Sequence, residues 1–271
     1  MIIPLFDLWE NYDSVLKEKI LKLRDFFARN PKTALAFSGG VDSSFLLYAG
    51  TSLNADIKPY YVKSAFQPEF EHEDALDTSS LLGVKTTVLY TDVLSSREVT
   101  QNPSSRCYYC KKAIFGMLME KALTDGYDTI IDGTNAGDDE TVRPGMAALK
   151  EFSVISPLRE TGFVKNEIRQ ILKDAGMPIW EKLAYSCLAT RVAVGETITA
   201  DLLSRIEKAE GMLFSLGFTD FRVRVSRNKA KLQFVESEIK KAYDNKELII
   251  SKLSPFFGYI NENFEIRKSH G

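Results

Sequence analysis

Apolar positions recur along this chain with two periods that alternate from one stretch to the next. Over residues 12–30 they fall three or four positions apart, which predicts an amphipathic helix. Short apolar runs with β-branched and aromatic residues then predict strands, and helical patterns return between them. The predicted strands are residues 33–37, 58–63, 85–90 and 128–132. The predicted intervening helices are residues 42–49, 69–82 and 109–124.

This alternation predicts the fold class of the first part of the chain. Strands that alternate with helices favour an α/β fold with a doubly wound parallel sheet and helices on both faces. Ligands of such sheets lie at the carboxyl ends of the strands. The turn at residues 38–44, the segment 64–70 and the turn at residues 132–135 are therefore expected to converge.

The pattern changes near Gly195, where a second unit is predicted. A capped helix ends at Gly217, and two alternating strands follow at residues 220–225 and 229–234. A helix over residues 237–253 and a last strand near 256–265 complete it. We therefore predict a main domain over residues 1–194 and a small α+β domain over residues 195–271.

Composition and charge narrow the class of protein. The chain has 271 residues with 35 basic and 37 acidic side chains, a net charge of −2, which argues against a general nucleic-acid binder. Its first residues carry acids where a signal peptide has bases, and no run is long enough to span a membrane. With three cysteines and no sign of export, we expect a cytoplasmic protein with reduced thiols and no membrane association.

The stretch AFSGGVDSSFLL, residues 36–47, turns sharply from a predicted strand into a predicted helix. Glycines allow such a turn, and the first N–H groups of the helix favour an anion. Asp42 fits beside a phosphate only if a divalent cation lies between them. No lysine follows the second glycine, so this is not the GxxxxGK[ST] phosphate loop. The residues predicted to bind ATP here are Ser38, Gly39, Gly40, Val41, Asp42, Ser43 and Ser44.

The three cysteines raise a separate question. Cys107 and Cys110 form a C-x-x-C at the start of a predicted helix, and Cys187 stands 77 residues after Cys110. Four interpretations stay open from the residues alone: a structural zinc site, a redox dithiol, a [4Fe–4S] cluster on three cysteines with one open iron, and unrelated thiols. Zinc is short of ligands, since only His72 and His270 could join them. The redox pair leaves Cys187 unexplained.

Further polar residues are candidates for anion or metal contacts. Arg191 follows Cys187 by four positions and would share its face of a helix, while Arg222 and Arg224 alternate along a strand and point to one side. The remaining candidates are Lys111 beside the C-x-x-C, Asn135, Asp138 and Arg143 after the fourth strand, and Glu210 as a magnesium ligand together with Asp42.

Five motifs in order resemble one family. They are SGGVDS, CYYCKK, DGTN with VRPG, W-x-K-x-A-x-x-C-L-A-T-R, and AE-x-x-x-x-x-LGF-x-x-x-RVR. Together they resemble the LarE family of the PP-loop ATP pyrophosphatase superfamily, from Ala34 to Arg224. The first motif is shared by the whole superfamily, whereas the stretch around Cys187 and the RVR strand are more specific. The resemblance implies a PP-loop, HUP-like fold.

The resemblance also implies a reaction. Such an enzyme uses ATP and Mg²⁺ to adenylate a carboxylate of pyridinium-3,5-biscarboxylic acid mononucleotide, a nickel-pincer cofactor precursor, and a sulfur nucleophile then displaces AMP. In one branch the sulfur comes from a sacrificed cysteine, here Cys187. In another, three cysteines hold a [4Fe–4S] cluster, and the C-x-x-C favours this branch. A ring-shaped homo-oligomer without nucleic acid is expected.

Some residues depart from the family pattern, and other functions remain open. Gln233 stands where an acid is expected, with Glu236 three positions on, and His72 in EFEHED is interpreted as part of a solvated helix face. An iron–sulfur-dependent tRNA thiolase is the main alternative. An amidating PP-loop enzyme, which leaves the cysteines unexplained, and a non-catalytic nucleotide sensor are others.

Overall fold

The computed structural model describes residues 2–138 and 145–267, apart from the side chain of Met146. Arg143 and His270 therefore lie outside the described residues. Two compact units are each assembled from three stretches of chain. The first contains Met1–Lys63, Glu69–Thr91 and Cys107–Lys182, and the second contains Ser64–Pro68, Asp92–Arg106 and Leu183–Gly271. The domain boundary at residues 194 and 195 stays a prediction.

The first unit is built on a parallel sheet, as the alternating pattern predicts. Its described strands are β1 (Lys32–Ala36), β2 (Asp56–Lys63), β3 (Thr87–Tyr90) and β4 (Thr129–Asp132). They lie in the order β3-β2-β1-β4, and every neighbouring pair is parallel. The order reverses beside β1, since β2 lies on one side of it and β4 on the other. The carboxyl end of β1 is therefore the switch point where α/β sheets bind ligands.

Helices flank this sheet within the first unit. They are α1 (Ser14–Arg29), α2 (Val41–Ser52), α3 (Glu69–Leu81), α5 (Arg106–Thr124), α6 (Gly145–Glu151), α7 (Pro157–Glu160) and α8 (Lys165–Asp174). The first residue of α5, Arg106, is assigned to the second unit, and the rest of α5 to the first. The amphipathic α1 begins two residues later than predicted because Asp13 caps it, accepting a hydrogen bond from the Leu16 amide at 2.8 Å. A 3₁₀ helix at Leu5–Asn11 precedes it, which the sequence pattern did not reveal.

The core of this unit explains why α2 carries no polar stripe. Phe45, Leu46 and Leu47 are all fully buried, and the ring of Phe45 lies 5.2 Å from that of Phe163. A helix buried on every face reads as a continuous apolar run. The turn before α2 is therefore fixed to a rigid element.

The second unit is smaller and contains an antiparallel hairpin. It has α4 (Arg97–Thr100), α9 (Ala200–Ser215), α10 (Glu236–Asp244), α11 (Lys246–Leu253), β5 (Phe221–Ser226), β6 (Lys229–Phe234), β7 (Tyr259–Ile260) and β8 (Glu265–Ile266). β5 and β6 pair antiparallel, and both β7 and β8 lie parallel beside β6. One hairpin face, with Val223 and Leu232, is buried, and the other carries Arg222 and Arg224.

Two predicted elements of the second unit are wrong in detail. The helix predicted over residues 237–253 is two helices separated at Asn245. The last predicted strand is two short strands, β7 and β8. The helical period is the same in both helices, so only their packing reveals the break. In the described part of the chain, no helix is both long and apolar enough to span a bilayer.

Candidate active site: a glycine turn and an arginine cluster

The turn between β1 and α2 is shaped to admit an anion. Gly39 has a φ of +69°, and a Cβ added there would lie 2.5 Å from the Ala75 Cβ, so only glycine fits. Gly40 is the N-cap of α2, and because it has no side chain it cannot cap the helix with one. The first amides of α2 therefore point out of the turn without a capping side chain, as an anion site requires.

Two serines fix the shape of this turn. The Ser43 hydroxyl donates to the Gly40 carbonyl at 3.1 Å and lies 3.0 Å from the Ser38 hydroxyl, which accepts from the Gly40 amide at 3.3 Å. Ser44 is fully buried, and its hydroxyl has no hydrogen-bond partner among the described residues. Of the predicted ATP-binding residues, Ser38, Gly39 and Gly40 thus form the turn, and the other four are the first residues of α2.

Asp42 is paired with a lysine that the sequence analysis missed. The Lys165 ammonium donates to Asp42 Oδ2 at 2.7 Å, across 123 residues of sequence. Burial raises the pKa of Asp42, and the Lys165 charge opposes this rise. No local motif marks Lys165, since its role follows from the packing of α8 on α2.

The end of β4 lies directly against the same turn. A Cβ on Gly133 would lie 2.7 Å from the Ser43 amide nitrogen, so the two backbones touch. Asn135 is buried and caps its own loop, accepting from the Gly137 amide at 2.8 Å, and the Asp138 carboxylate accepts from the Asn135 amide at 3.1 Å. Asn135 and Asp138 are thus ordered next to the turn, as predicted for strand ends of a parallel sheet.

A second lysine supports the turn from the α3 side. The Lys182 ammonium donates to the Gly39 carbonyl at 3.3 Å and forms ion pairs with Glu71 at 3.1 Å and Asp74 at 2.9 Å. Burial raises the pKa of Glu71, which Lys182 opposes. His72, on the same helix, is buried with its ring 5.1 Å from that of Tyr61, so the interpretation as a solvated face is wrong.

The cysteines occupy two helix starts. Cys107 and Cys110 lie in the first turns of α5, in the first unit, and both are half-buried. Since they are three residues apart on a helix, their side chains share a face. Lys111 follows them, and its side chain lies against Gly145 of α6. Within the described ranges, no group of three or more His, Cys, Asp or Glu side chains is gathered as metal ligands.

Cys187 lies in the second unit and is held through the residues that follow it. It is the half-buried N-cap of a 3₁₀ helix at Leu188–Arg191. The buried Arg106 guanidinium donates to the Ala189 carbonyl at 2.9 Å and to the Asn102 side chain, and Asn102 donates to the Ala193 carbonyl at 2.8 Å. Arg106 precedes Cys107 in the chain. The pair of Arg106 and Asn102 was not predicted from the sequence because no motif marks it.

Arg191 and Glu210 form a buried ion pair in the second unit. The Arg191 Nε donates to Glu210 Oε1 at 2.9 Å, and both side chains are 1% exposed. Glu210 also accepts from a second Arg191 nitrogen at 3.1 Å, from the Val223 amide at 2.9 Å and from the Tyr185 hydroxyl. Burial opposes the charge on Arg191, but Glu210 more than offsets this and the pKa of Arg191 is raised. A magnesium ligand role for Glu210 stays a prediction, which would require these donors to be displaced.

The two arginines of β5 lie beside this pair. Arg222 donates to the Ser186 hydroxyl at 3.1 Å, and Arg224 donates to the Thr190 carbonyl at 3.1 Å. Burial, together with the charges of Arg191 and Arg224, lowers the pKa of Arg222. This arginine cluster (Arg191, Arg222 and Arg224) therefore gathers three positive charges, of which Arg191 is paired with Glu210.

A cavity of about 480 Å³ opens on the same hairpin face. Its lining residues are Arg191, Ala193, Arg224, Val225, Ser226, Arg227, Lys229, Lys231, Gln233 and Glu265. Gln233 accepts from Arg224 Nε at 3.3 Å and donates to Glu265 at 2.9 Å. The hydrogen bond from Gln233 and the nearby Lys231 lower the pKa of Glu265. The acid expected near Gln233 is thus supplied by Glu265 of β8, whereas Glu236 begins α10.

The fold and turn define an α/β enzyme of the PP-loop type. No family model matches the chain. An uncharacterized protein of Synechocystis is 36% identical over 83% of this chain and 84% of its own length. The pyridinium-3,5-bisthiocarboxylic acid mononucleotide synthase of Lactiplantibacillus plantarum is 29% identical over 77% of this chain and 76% of its own.

A more distant relative shares only part of the chain. The tRNA-specific 2-thiouridylase MnmA of Thermotoga petrophila is 24% identical over 56% of this chain and 54% of its own length. The chain belongs to the LarE family and is a sulfur-transferring enzyme of the PP-loop class.

Proposed function

We propose that this enzyme uses ATP to adenylate a carboxylate of pyridinium-3,5-biscarboxylic acid mononucleotide, releases pyrophosphate, and converts that carboxylate to a thiocarboxylate for nickel-pincer cofactor synthesis. The synthase from Lactiplantibacillus plantarum is named for the bisthiocarboxylic product of such a reaction. Cys107, Cys110 and Cys187 would hold a [4Fe–4S] cluster, which would supply the sulfur.

The arginine cluster is the observation that carries this proposal. Arg191 pairs with the carboxylate of Glu210, and burial, together with the charges of Arg191 and Arg224, lowers the pKa of Arg222. A small ligand with several negative charges relieves the repulsion between these guanidinium groups and accepts bidentate hydrogen bonds. The substrate has two carboxylates and a phosphate, and a cavity of about 480 Å³ has the volume of a small-molecule site.

The glycine turn supports the adenylation step. When a carboxylate attacks the α-phosphorus, negative charge develops on the leaving pyrophosphate and must be stabilised in place. The amides at the start of α2 are candidate donors for those oxygens, and the Ser38 hydroxyl, which accepts from the Gly40 amide, has its own hydrogen to donate. Asp42 is an oxygen ligand of the kind Mg²⁺ prefers, and the ion when bound would neutralise phosphate charge.

A thiolate site shared by the three cysteines is part of this proposal. Cys107 and Cys110 present two sulfurs on one helix face, and Cys187 starts a helix that Arg106 anchors. When bound, a cluster with one open iron would carry the transferable sulfur. Lys111, one residue after Cys110, is proposed to contact phosphate. The alternative is that Cys187 itself gives up its sulfur and becomes dehydroalanine.

A tRNA thiolase is the second candidate, and the similarity to MnmA favours it. Against it stand the shorter stretch of similarity and a net charge of −2, since tRNA binding rests on a basic surface. The two functions differ in the acceptor of the sulfur and share the ATP chemistry.

The decisive experiment combines metal analysis with product analysis. Protein purified without oxygen is assayed for iron, acid-labile sulfide and zinc, and then given ATP, Mg²⁺, sulfide and the mononucleotide. We expect about four irons per chain, lost in Cys107→Ala, Cys110→Ala and Cys187→Ala. Pyrophosphate and a product with one oxygen replaced by sulfur should appear together.

Other outcomes separate the alternatives. Protein without iron after reconstitution, together with loss of one sulfur atom from Cys187 after one turnover, would establish the sacrificial route. Pyrophosphate release that requires tRNA and ignores the mononucleotide would overturn the proposed substrate.

A further inference from the structure

A lysine reaches the glycine turn from 123 residues along the chain. Lys165 is the first residue of α8, and its ammonium lies 2.7 Å from Asp42 Oδ2. The turn follows no GxxxxGK[ST] pattern, so its own sequence supplies no lysine for phosphate. Lys165 supplies a positive charge at this turn from a distant part of the sequence.

Its position on α8 is electrostatically unfavourable unless another group compensates. A cation in the first turn of a helix faces the positive end of the helix dipole. The helix start is held independently, because Glu167 accepts from the Val164 amide at 3.0 Å and pairs with Lys19 at 2.6 Å. The backbone of Lys165 is thus fixed, while its long side chain can move.

Asp42 and Asp138 together carry more negative charge than the one ammonium of Lys165 neutralises. The Asp42 Oδ1 is buried and makes no close hydrogen bond among the described residues, the Asn135 side chain lowers the pKa of Asp42, and Asp138 adds a second nearby negative charge that raises it. A buried carboxylate oxygen without a close donor is costly, and a divalent cation would satisfy it. One ammonium therefore stands in the place of a doubly charged ion.

We propose that Lys165 is the phosphate-binding lysine of this turn. Asp42 holds it while the site is without nucleotide, and the divalent cation that arrives with ATP takes its place on Asp42. Lys165 then turns to the phosphate oxygens. This inference rests on the proposed use of ATP and Mg²⁺ at the turn and is independent of the acceptor of the sulfur.

Binding measurements without the sulfur acceptor test it. Mn²⁺ alone is titrated and followed by electron paramagnetic resonance, and the α,β-methylene analogue of ATP with Mg²⁺ is titrated by calorimetry. In Lys165→Gln we expect Mn²⁺ alone to bind about tenfold more tightly, because Asp42 has lost its competing cation. The analogue should bind about tenfold more weakly, because its phosphates have lost a charged donor.

The matched control is Lys58→Gln, which removes a lysine–carboxylate pair of similar exposure with Asp125, elsewhere in the first unit. It should leave both affinities within about twofold. Lys165→Arg retains the charge and should keep the analogue affinity within about threefold, which separates loss of charge from loss of folding.

Two results overturn the inference in different ways. If wild type binds the analogue and Lys165→Gln binds it equally well, Lys165 is only a structural partner of Asp42. If Mn²⁺ binds more weakly to Lys165→Gln, then Lys165 does not compete for Asp42. A wild-type protein that does not bind the analogue would overturn ATP use together with this inference.

Discussion

The glycine turn of the first unit and the arginine cluster of the second both suit anions, but they are built in opposite ways. The turn uses backbone amides and two serine hydroxyls within residues 38–44. The cluster uses charged side chains from β5 and from the segment after Cys187, where Arg191 is paired with Glu210 of α9.

The difference lies in where the stabilising interactions come from. A backbone turn is specified by its own local residues and cannot repel itself, because its amides are only partial charges. Three guanidinium groups do repel one another, so their arrangement depends on a buried counter-ion. The turn should therefore be sensitive to shape, and the cluster to charge.

The largest effect is expected from Glu210→Ala. It leaves the buried Arg191 guanidinium without a carboxylate, which should lower the free energy of unfolding by about 3–5 kcal/mol. Denaturant unfolding followed by fluorescence measures this. Asp244→Asn removes a solvent-exposed ion pair with Lys240 and should change stability by less than about 0.5 kcal/mol. Equal effects of the two substitutions would show that Glu210 does not stabilise the cluster.

Next comes Gly39→Ala, which tests shape at the turn. The new Cβ would lie 2.5 Å from the Ala75 Cβ, so the loop must shift and pyrophosphate release should fall about a hundredfold or more. Gly83→Ala is a matched control, because Gly83 has the same φ of +69° but a Cβ there meets nothing within 4 Å. The control should lose about 1 kcal/mol of stability and keep its activity. Full activity in Gly39→Ala would contradict a rigid turn.

A smaller effect is expected from Arg222→Ala, which tests charge in the cluster. Removing one of three guanidinium groups should weaken binding of the mononucleotide about ten- to a hundredfold, with the affinity for ATP unchanged. Calorimetry with each ligand separates the two. Lys240→Ala, a change at an exposed cation of the same unit, should alter neither affinity. A loss of ATP affinity instead would assign Arg222 to the nucleotide.

The smallest effect is expected from Glu265→Gln. Its amide oxygen can still accept from Gln233, so Arg224 keeps its orientation, and only the negative charge beside the cavity is lost. Mononucleotide affinity should rise by about threefold or less, because a negative charge beside the anion is lost, whereas Glu265→Ala, which also frees the Gln233 amide, should lower it. The ratio of the mononucleotide affinities of the two variants measures how far Gln233 orients Arg224. Identical affinities would show that Gln233 does not orient it.

How much of this could be predicted depended on sequence separation. The parallel sheet, the turn after β1 and the hairpin of Arg222 and Arg224 follow from local patterns, because strand alternation and glycine turns are encoded within a few residues. The break at Asn245 could not be predicted, because the helical pattern continues across it. His72 was misassigned because an acidic stretch hid its packing on Tyr61.

By itself, the sequence determined which residues are candidates for the chemistry: a glycine turn, a pair of thiols with a third, and arginines on one strand face. Only the tertiary structure decided their partners. Lys165 reached Asp42, Glu210 became the counter-ion of Arg191, and Glu265 supplied the acid beside Gln233. The physical reason is that a charge is stabilised by whatever lies within a few ångströms of it, and packing brings those groups together from distant parts of the chain.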